Sequence, residues 1–262
     1  MSRKYYYLVT GLPNLADNVK NFDYAKIREE VIEVLAKEDA ELVKFLLLRF
    51  DNENIINILD KKQEFDSRGW FSRSELEEAV NNFDALPKYL QVFLQNRKDD
   101  KESVAGLGVF EQLSYLYYKE LSGVNAWFAK WAVFCADIQN VVAASNAREL
   151  GVSAERSVIQ INDNAEKIAK SRASDFGLGN SLSWMEQISK NINDPIALEE
   201  AIDDIYWKKV DELSIGSEFG MESVLGFMVK ANSIERWLRL DTENGIARAK
   251  GLIENLKSSL QK

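Results

Sequence analysis

The stretch Trp127–Leu150, WFAKWAVFCADIQNVVAASNAREL, decides how this chain is read. An apolar run ends in Asp137-Ile-Gln-Asn140, and Arg148 follows eleven residues after the Asp. Earlier, LLLRFDNENIINILDKK places Asp51, Asn54 and Lys62 at the same offsets. On a helix turning about 100° per residue, positions +3 and +11 fall within about 60° of the first, so all three share a face. The outer two are about 16 Å apart along the axis if the helix runs unbroken. A degenerate third copy, Ser233, Arg236 and Asn244, appears when Tyr117-Tyr118-Lys119 is laid against Tyr206-Trp207-Lys208 with seven residues inserted. Catalytic sites are seldom copied three times in one chain. A copied polar face reads instead as a register device between packed helical hairpins, structural or at an interface.

The surrounding sequence is helical in pattern. YAKIREEVIEVLAK sets Ile27, Val31, Val34 and Leu35 on one face. Asp39 is placed to cap the next helix, and Ser72 with Glu75 forms a capping box. Pro87 and Pro195 suit first turns, the latter behind Asp194. Gly123 and Gly151 follow helical runs, where a left-handed cap is expected. DKKQEFDSRG, NRKDDKESVAG and SRASDFGLGNS read as loops, and a last helix is expected from near Thr242. The opening YYYLVTGLP is open between a strand and a helix start. The expected architecture is all-α. It is one helical domain of three degenerate repeats, approximately 1–65, 70–150 and 180–262.

Composition narrows the function. With 46% apolar and 29% charged residues the chain is an ordinary globular one. Its net charge of −9 opposes nucleic-acid binding, which needs a basic stripe. It has no histidine, which removes the commonest general base and zinc ligand. The single Cys135 lies in an apolar helical run and reads as a buried thiol in a reducing compartment. The longest uncharged run, Tyr5–Ala16, is too short for a membrane span, which takes about 20 residues. A cytoplasmic protein with no span of its own is expected.

Weaker motifs are outweighed. AGLGVFEQ and FGLGNSLSW lack the third glycine of a dinucleotide loop. DTENGIARAKGL lacks the closing Glu of a calcium loop. Asp203 and Asp204 could hold Mg²⁺ in an all-α enzyme, but Trp207 and Lys208 occupy the turn where a third carboxylate is needed. No catalytic residue, cofactor or metal is therefore assigned. The aromatic density at Tyr115, Tyr117, Tyr118, Trp127 and Trp131 fits a core, or a partner groove.

DNENIINILDKK and DIQNVVAASNAR resemble the repeated Asp-Ile-x-Asn-Leu helix of the C-type stalk connector of V-type and archaeal-type ATPases, known as the d-type connector in eukaryotes. ALEEAIDDIYWKKVDEL and FGMESVLGFMVKANSIERWLRLDTENG are similar to later segments of that family. YYYLVTGLP looks more like a short bacterial branch encoded in V-type ATPase operons. Asp60 stands where the family has Arg, and the third repeat lacks both Asp and Asn. The resemblance implies a funnel of three pseudo-repeated helical bundles that does no chemistry. Such a part links the D and F proteins of the central stalk to the membrane proteolipid ring and transmits torque. It would be cytoplasmic and held at the inner membrane through the complex. A helical adaptor of another assembly is the alternative.

Overall fold

A computed structural model of the chain describes residues 4–15 and 22–240. Every regular element among them is helical: α1 (Tyr6–Gly11), α2 (Tyr24–Val34), α3 (Lys37–Leu59), α4 (Arg73–Ala79), α5 (Lys88–Lys98), α6 (Val109–Val124), α7 (Ala126–Glu149), α8 (Asp163–Lys170), α9 (Met185–Asn191), α10 (Pro195–Ser214) and α11 (Met221–Leu240). The protein is all-α. The ambiguous N-terminal segment is a helix, and none of the described helices is long and apolar enough to cross a membrane. Asn244 and the helix expected from Thr242 lie outside the described residues.

The described residues form two compact units. One contains the chain up to Leu46 and from Asp194 onward; the other is Leu47–Asn193. The three segments expected as repeats do not coincide with these units, because the first division falls inside α3.

In the first unit α10 and α11 form a hairpin, and α2 packs on α11. The hairpin turns tightly because Ile215–Gly220 is short and Gly216 takes a left-handed φ of 79°. The Ser214 hydroxyl donates to the carbonyls of Val210 (2.7 Å) and Glu222 (3.1 Å), closing the corner. Trp207 and Trp237 fill the interior. Asp194 caps α10 through the N–H groups of Ile196 and Ala197, with Pro195 in the first turn as its fixed φ favours. Two expectations change here. The chain leaves helical geometry at Leu35, so Val34 ends α2 59% exposed while Val31 and Leu35 are buried. Asp39 lies within the first turn of α3, where its carboxylate accepts from the Tyr5 hydroxyl instead of capping the helix.

The second unit is built on α7 and the C-terminal part of α3. α6 and α7 are antiparallel neighbours joined at Asn125, whose side chain caps α7 by accepting from the Phe128 N–H at 3.0 Å. α7 is buried on most sides: Trp127, Phe128, Trp131, Cys135 and Ile138 all lie inside. Each such apolar side chain contributes about 1.5–3 kcal/mol by leaving water. The tyrosines belong to the same core, with Tyr89 and Tyr117 rings 5.7 Å apart and both hydroxyls raised well above their usual pKa by burial. Gly151 caps α7 at φ 66°, as expected, whereas Gly123 lies inside α6 and caps nothing. The Ser72–Glu75 capping box opens α4 with both reciprocal bonds present.

Candidate functional site

The long helix α7 carries Asp137, Asn140 and Arg148 on one continuous run, so their shared face is real. Asn140 is fully buried, and its side-chain amide forms two bonds with the backbone of one residue in the returning chain. Its Nδ2 donates to the Ile159 carbonyl at 2.9 Å, and its Oδ1 accepts from the Ile159 N–H at 2.7 Å. A buried backbone unit outside any helix needs such partners, and Asn supplies a donor and an acceptor together. One turn earlier, Asp137 is 3% exposed and accepts from the Nδ2 atoms of Asn162 and Asn164, each at 2.9 Å. Asn162 is the cap of α8, with its Oδ1 taking the N–H groups of Asn164 and Ala165. Asp137 thereby orients the residue that starts the next helix. Burial raises the pKa of the Asp137 carboxyl, partly offset by the two amide donors.

The same device occurs on α3. Asn54, fully buried, donates to the Asp66 carbonyl at 2.9 Å and accepts from the Asp66 N–H at 2.7 Å. Asp51, also fully buried, accepts from the N–H groups of Trp70 (2.7 Å) and Phe71 (3.3 Å), immediately ahead of the Ser72 cap of α4. In both copies the Asn holds the returning chain, and the Asp one turn back holds the entry to the following helix. Gly69 makes room for this arrangement, because a Cβ there would overlap Asp51 Oδ1.

The +11 positions differ. Arg148 stays on α7, its guanidinium 3.8 Å above the Phe176 ring and donating to the carbonyls of Ser171 (2.6 Å) and Ala173 (2.8 Å). Partial burial lowers its pKa. Lys62 does not share the Asp51 face. α3 ends at Leu59, and Lys61 turns left-handed at φ 59°, so Lys62 lies past the helix with its ammonium 3.1 Å from Asp60. The shared-face reading of Asp51, Asn54 and Lys62 is corrected by this early helix end.

In the third copy the acid comes from the partner helix. Ser233 and Arg236 lie on α11, and both reach Asp203 of α10. The Asp203 carboxylate is buried and accepts from Ser233 Oγ (2.9 Å), Arg236 Nη2 (2.6 Å) and Trp237 Nε1 (2.7 Å). Arg236 also pairs with Glu199. Burial works against its charge, but Asp203 and Glu199 outweigh it and raise its pKa. The neighbouring Asp204 pairs with Lys208 at 2.6 Å. Asp203, which sequence reasoning singled out only as a metal candidate, is thus the centre of a polar network holding two helices together.

The carboxylates of Asp137 and Asp203 accept from internal donors, an arrangement that fixes chain register. No group of three or more His, Cys, Asp or Glu residues among the described ones is arranged to hold a metal ion. The partners that sequence reasoning missed are Asp66, Trp70, Phe71, Ile159, Asn162 and Asn164. Only Asn162-Asp163-Asn164 carried a local signal, the Asx residue of a helix start. Comparison with curated proteins and with solved structures gives no match. Over residues 1–260 the chain matches the family described as protein of unknown function (DUF2764), and it belongs to that family.

Proposed function

We propose that this protein is a non-catalytic connector of a V-type ATPase. In this reading it is seated between the D and F proteins of the central stalk and the membrane proteolipid ring, and it passes torque from one to the other. The resemblance of the Asp51 and Asp137 helices to the repeated helix of the C-type stalk connectors motivates the reading. The observation that carries it is the duplicated buried pin, Asp51 with Asn54 and Asp137 with Asn140. A torque-bearing part must not let a helix slide against the chain that returns along it. Paired amide bonds to one backbone unit oppose that sliding directionally, as apolar packing alone does not. The funnel of three pseudo-repeated bundles, the cytoplasmic location and the peripheral hold on the inner membrane belong to the same proposal.

The test is to purify tagged protein from gently solubilised native membranes and identify what accompanies it. Proteolipid together with the D and F stalk proteins is the expected result. A folded, abundant protein that brings down neither would overturn the connector, and a soluble complex without ATPase components would put a helical adaptor in its place.

A further inference from the structure

A cavity of about 410 Å³ lies where α3, α4 and α5 end, within the size range of small-molecule sites. Its apolar walls are Leu59, Val80, Phe83 and Leu94, and its polar lining is Asn81, Arg97 and Lys98. Leu94 is buried, while the other three apolar residues are only half-buried and keep apolar surface for an occupant. The walls are fixed in place. Gln91 Nε2 donates to the carbonyls of Asp84 (3.0 Å) and Leu86 (2.8 Å), tying the short turn that carries Phe83 to α5. Asn81 Nδ2 donates to the Glu77 carbonyl at 3.0 Å, holding the end of α4.

The charge at this cavity differs from that of the chain as a whole, which is −9. Arg97 and Lys98 form no ion pair among the described residues. The hydrogen bonds of the adjacent acid go elsewhere: Asp99 accepts from Lys101 Nζ (3.2 Å) and Gln95 Nε2 (2.8 Å), and those bonds, with a smaller contribution from the Lys98 charge, lower its pKa. Both cations offset the carbonyl end of α5, but that role does not require an apolar hollow beside them. A guanidinium fork with one ammonium matches a single carboxylate. Asp84 and Asp99, each next in sequence to a lining residue, add negative charge to the same segments and disfavour a more highly charged head group.

We propose that this cavity binds a monoanion with an apolar tail, of the medium-chain carboxylate class. The tail lies against Leu59, Val80, Phe83 and Leu94, and the carboxylate rests on Arg97 and Lys98. The proposal is independent of the connector reading.

Octanoate titrated into the full chain tests it, followed by calorimetry and by methyl shifts of the Leu and Val residues, with octan-1-ol as the neutral control. Saturable one-to-one binding with shifts at Leu59, Val80 and Leu94 is expected, and octan-1-ol should bind much more weakly. The double substitution Arg97→Gln/Lys98→Gln, at exposed positions that leave the core intact, should weaken octanoate by about tenfold or more. Asn81→Trp, also at an exposed position, should fill the mouth and abolish binding. Shifts confined to other residues, equal binding of octan-1-ol, indifference to both variants, or no saturable binding would each overturn the proposal.

Discussion

The α7 return and the α10–α11 hairpin solve one problem in two ways. On α7 the polar residues face irregular chain, so Asn140 bonds to a backbone unit and Asp137 to the side chains that begin α8. In the hairpin both partners are helices whose backbones are already satisfied. Asp203 therefore takes its donors from the Ser233, Arg236 and Trp237 side chains. This explains why the third copy lacks the Asp-x-x-Asn pattern. A helix packed on a helix has no free backbone for an Asn to pair with, and a charged fork fills the space instead.

The sharpest way to break the comparison is at Asp203. Asp203→Ala removes the carboxylate that the Trp237 N–H donates to, leaves the Ser233 hydroxyl only its longer bond to the Val229 carbonyl (3.4 Å), and leaves Arg236 with Glu199. Removing one member of a buried ionic network costs about 3–5 kcal/mol, so urea unfolding should shift by that amount. Asp203→Asn keeps the shape and one acceptor and should cost less. If Asp203→Ala costs under about 1 kcal/mol, the hairpin is held by apolar packing around Trp207 and Trp237 and the network is incidental.

Next come the two Asn residues, which test whether the α3 and α7 copies are equivalent. Asn140→Ala removes two hydrogen bonds and leaves the buried Ile159 N–H without its acceptor, while the Ile159 carbonyl keeps the Ile161 N–H at 3.0 Å. The unsatisfied N–H costs about 1–3 kcal/mol and the lost bond to the carbonyl about 1 kcal/mol, so a loss of about 2–4 kcal/mol is expected. Asn54→Ala should cost less, because Asp66 is only half-buried and water can replace the lost partner. Amide exchange separates the cases: the Ile159 N–H should lose its protection in Asn140→Ala while the Asp66 N–H keeps its own, and the reverse for Asn54→Ala. Loss of both in either variant would mean that the two pins open as one unit.

Gly69→Ala probes the α3 copy from the opposite side. The added methyl group overlaps Asp51 Oδ1, the oxygen that accepts from the Phe71 N–H, so the carboxylate must shift against its backbone donors. Overpacking of this kind costs about 1–3 kcal/mol. The glycine control is Gly11, where an added Cβ meets nothing within 4 Å; Gly11→Ala should leave the unfolding curve unmoved.

What was legible in the sequence was local. The Ser72–Glu75 box, Asp194 with Pro195 and the Gly151 cap each depend on residues within one turn, and each is present as written. The all-α class followed from the same short-range signals. The polar copies were legible as positions but not as contacts, because Asn54 meets Asp66 and Asn140 meets Ile159 only after loops of different length close. Failures occurred where a helix end moved. Lys61 going left-handed removed Lys62 from the Asp51 face, and the break at Leu35 left Val34 outside. Apolar spacing cannot report a helix stop of this kind when no Gly or Pro marks it.

The smallest expected effect separates the two +11 positions. Arg148 supports the segment through Phe176, a bulky residue held at φ 54° with Gly177 following at φ 70°. Phe176 is uncommon in that conformation, and the stacked guanidinium together with the bonds to Ser171 and Ala173 offsets its strain. Arg148→Ala should cost about 1 kcal/mol and speed proteolysis at residues 171–181. Arg148→Lys should not rescue it, since an ammonium lacks the flat fork that stacks on one ring while reaching two carbonyls. Lys62→Ala removes only an exposed pair with Asp60, which is screened by water, so stability should not change measurably. Equal losses at Arg148 and Lys62 would restore the symmetry that spacing alone predicted. Unequal losses mean that the duplicated helix kept its buried Asp and Asn while its outer cation took a separate task on α7.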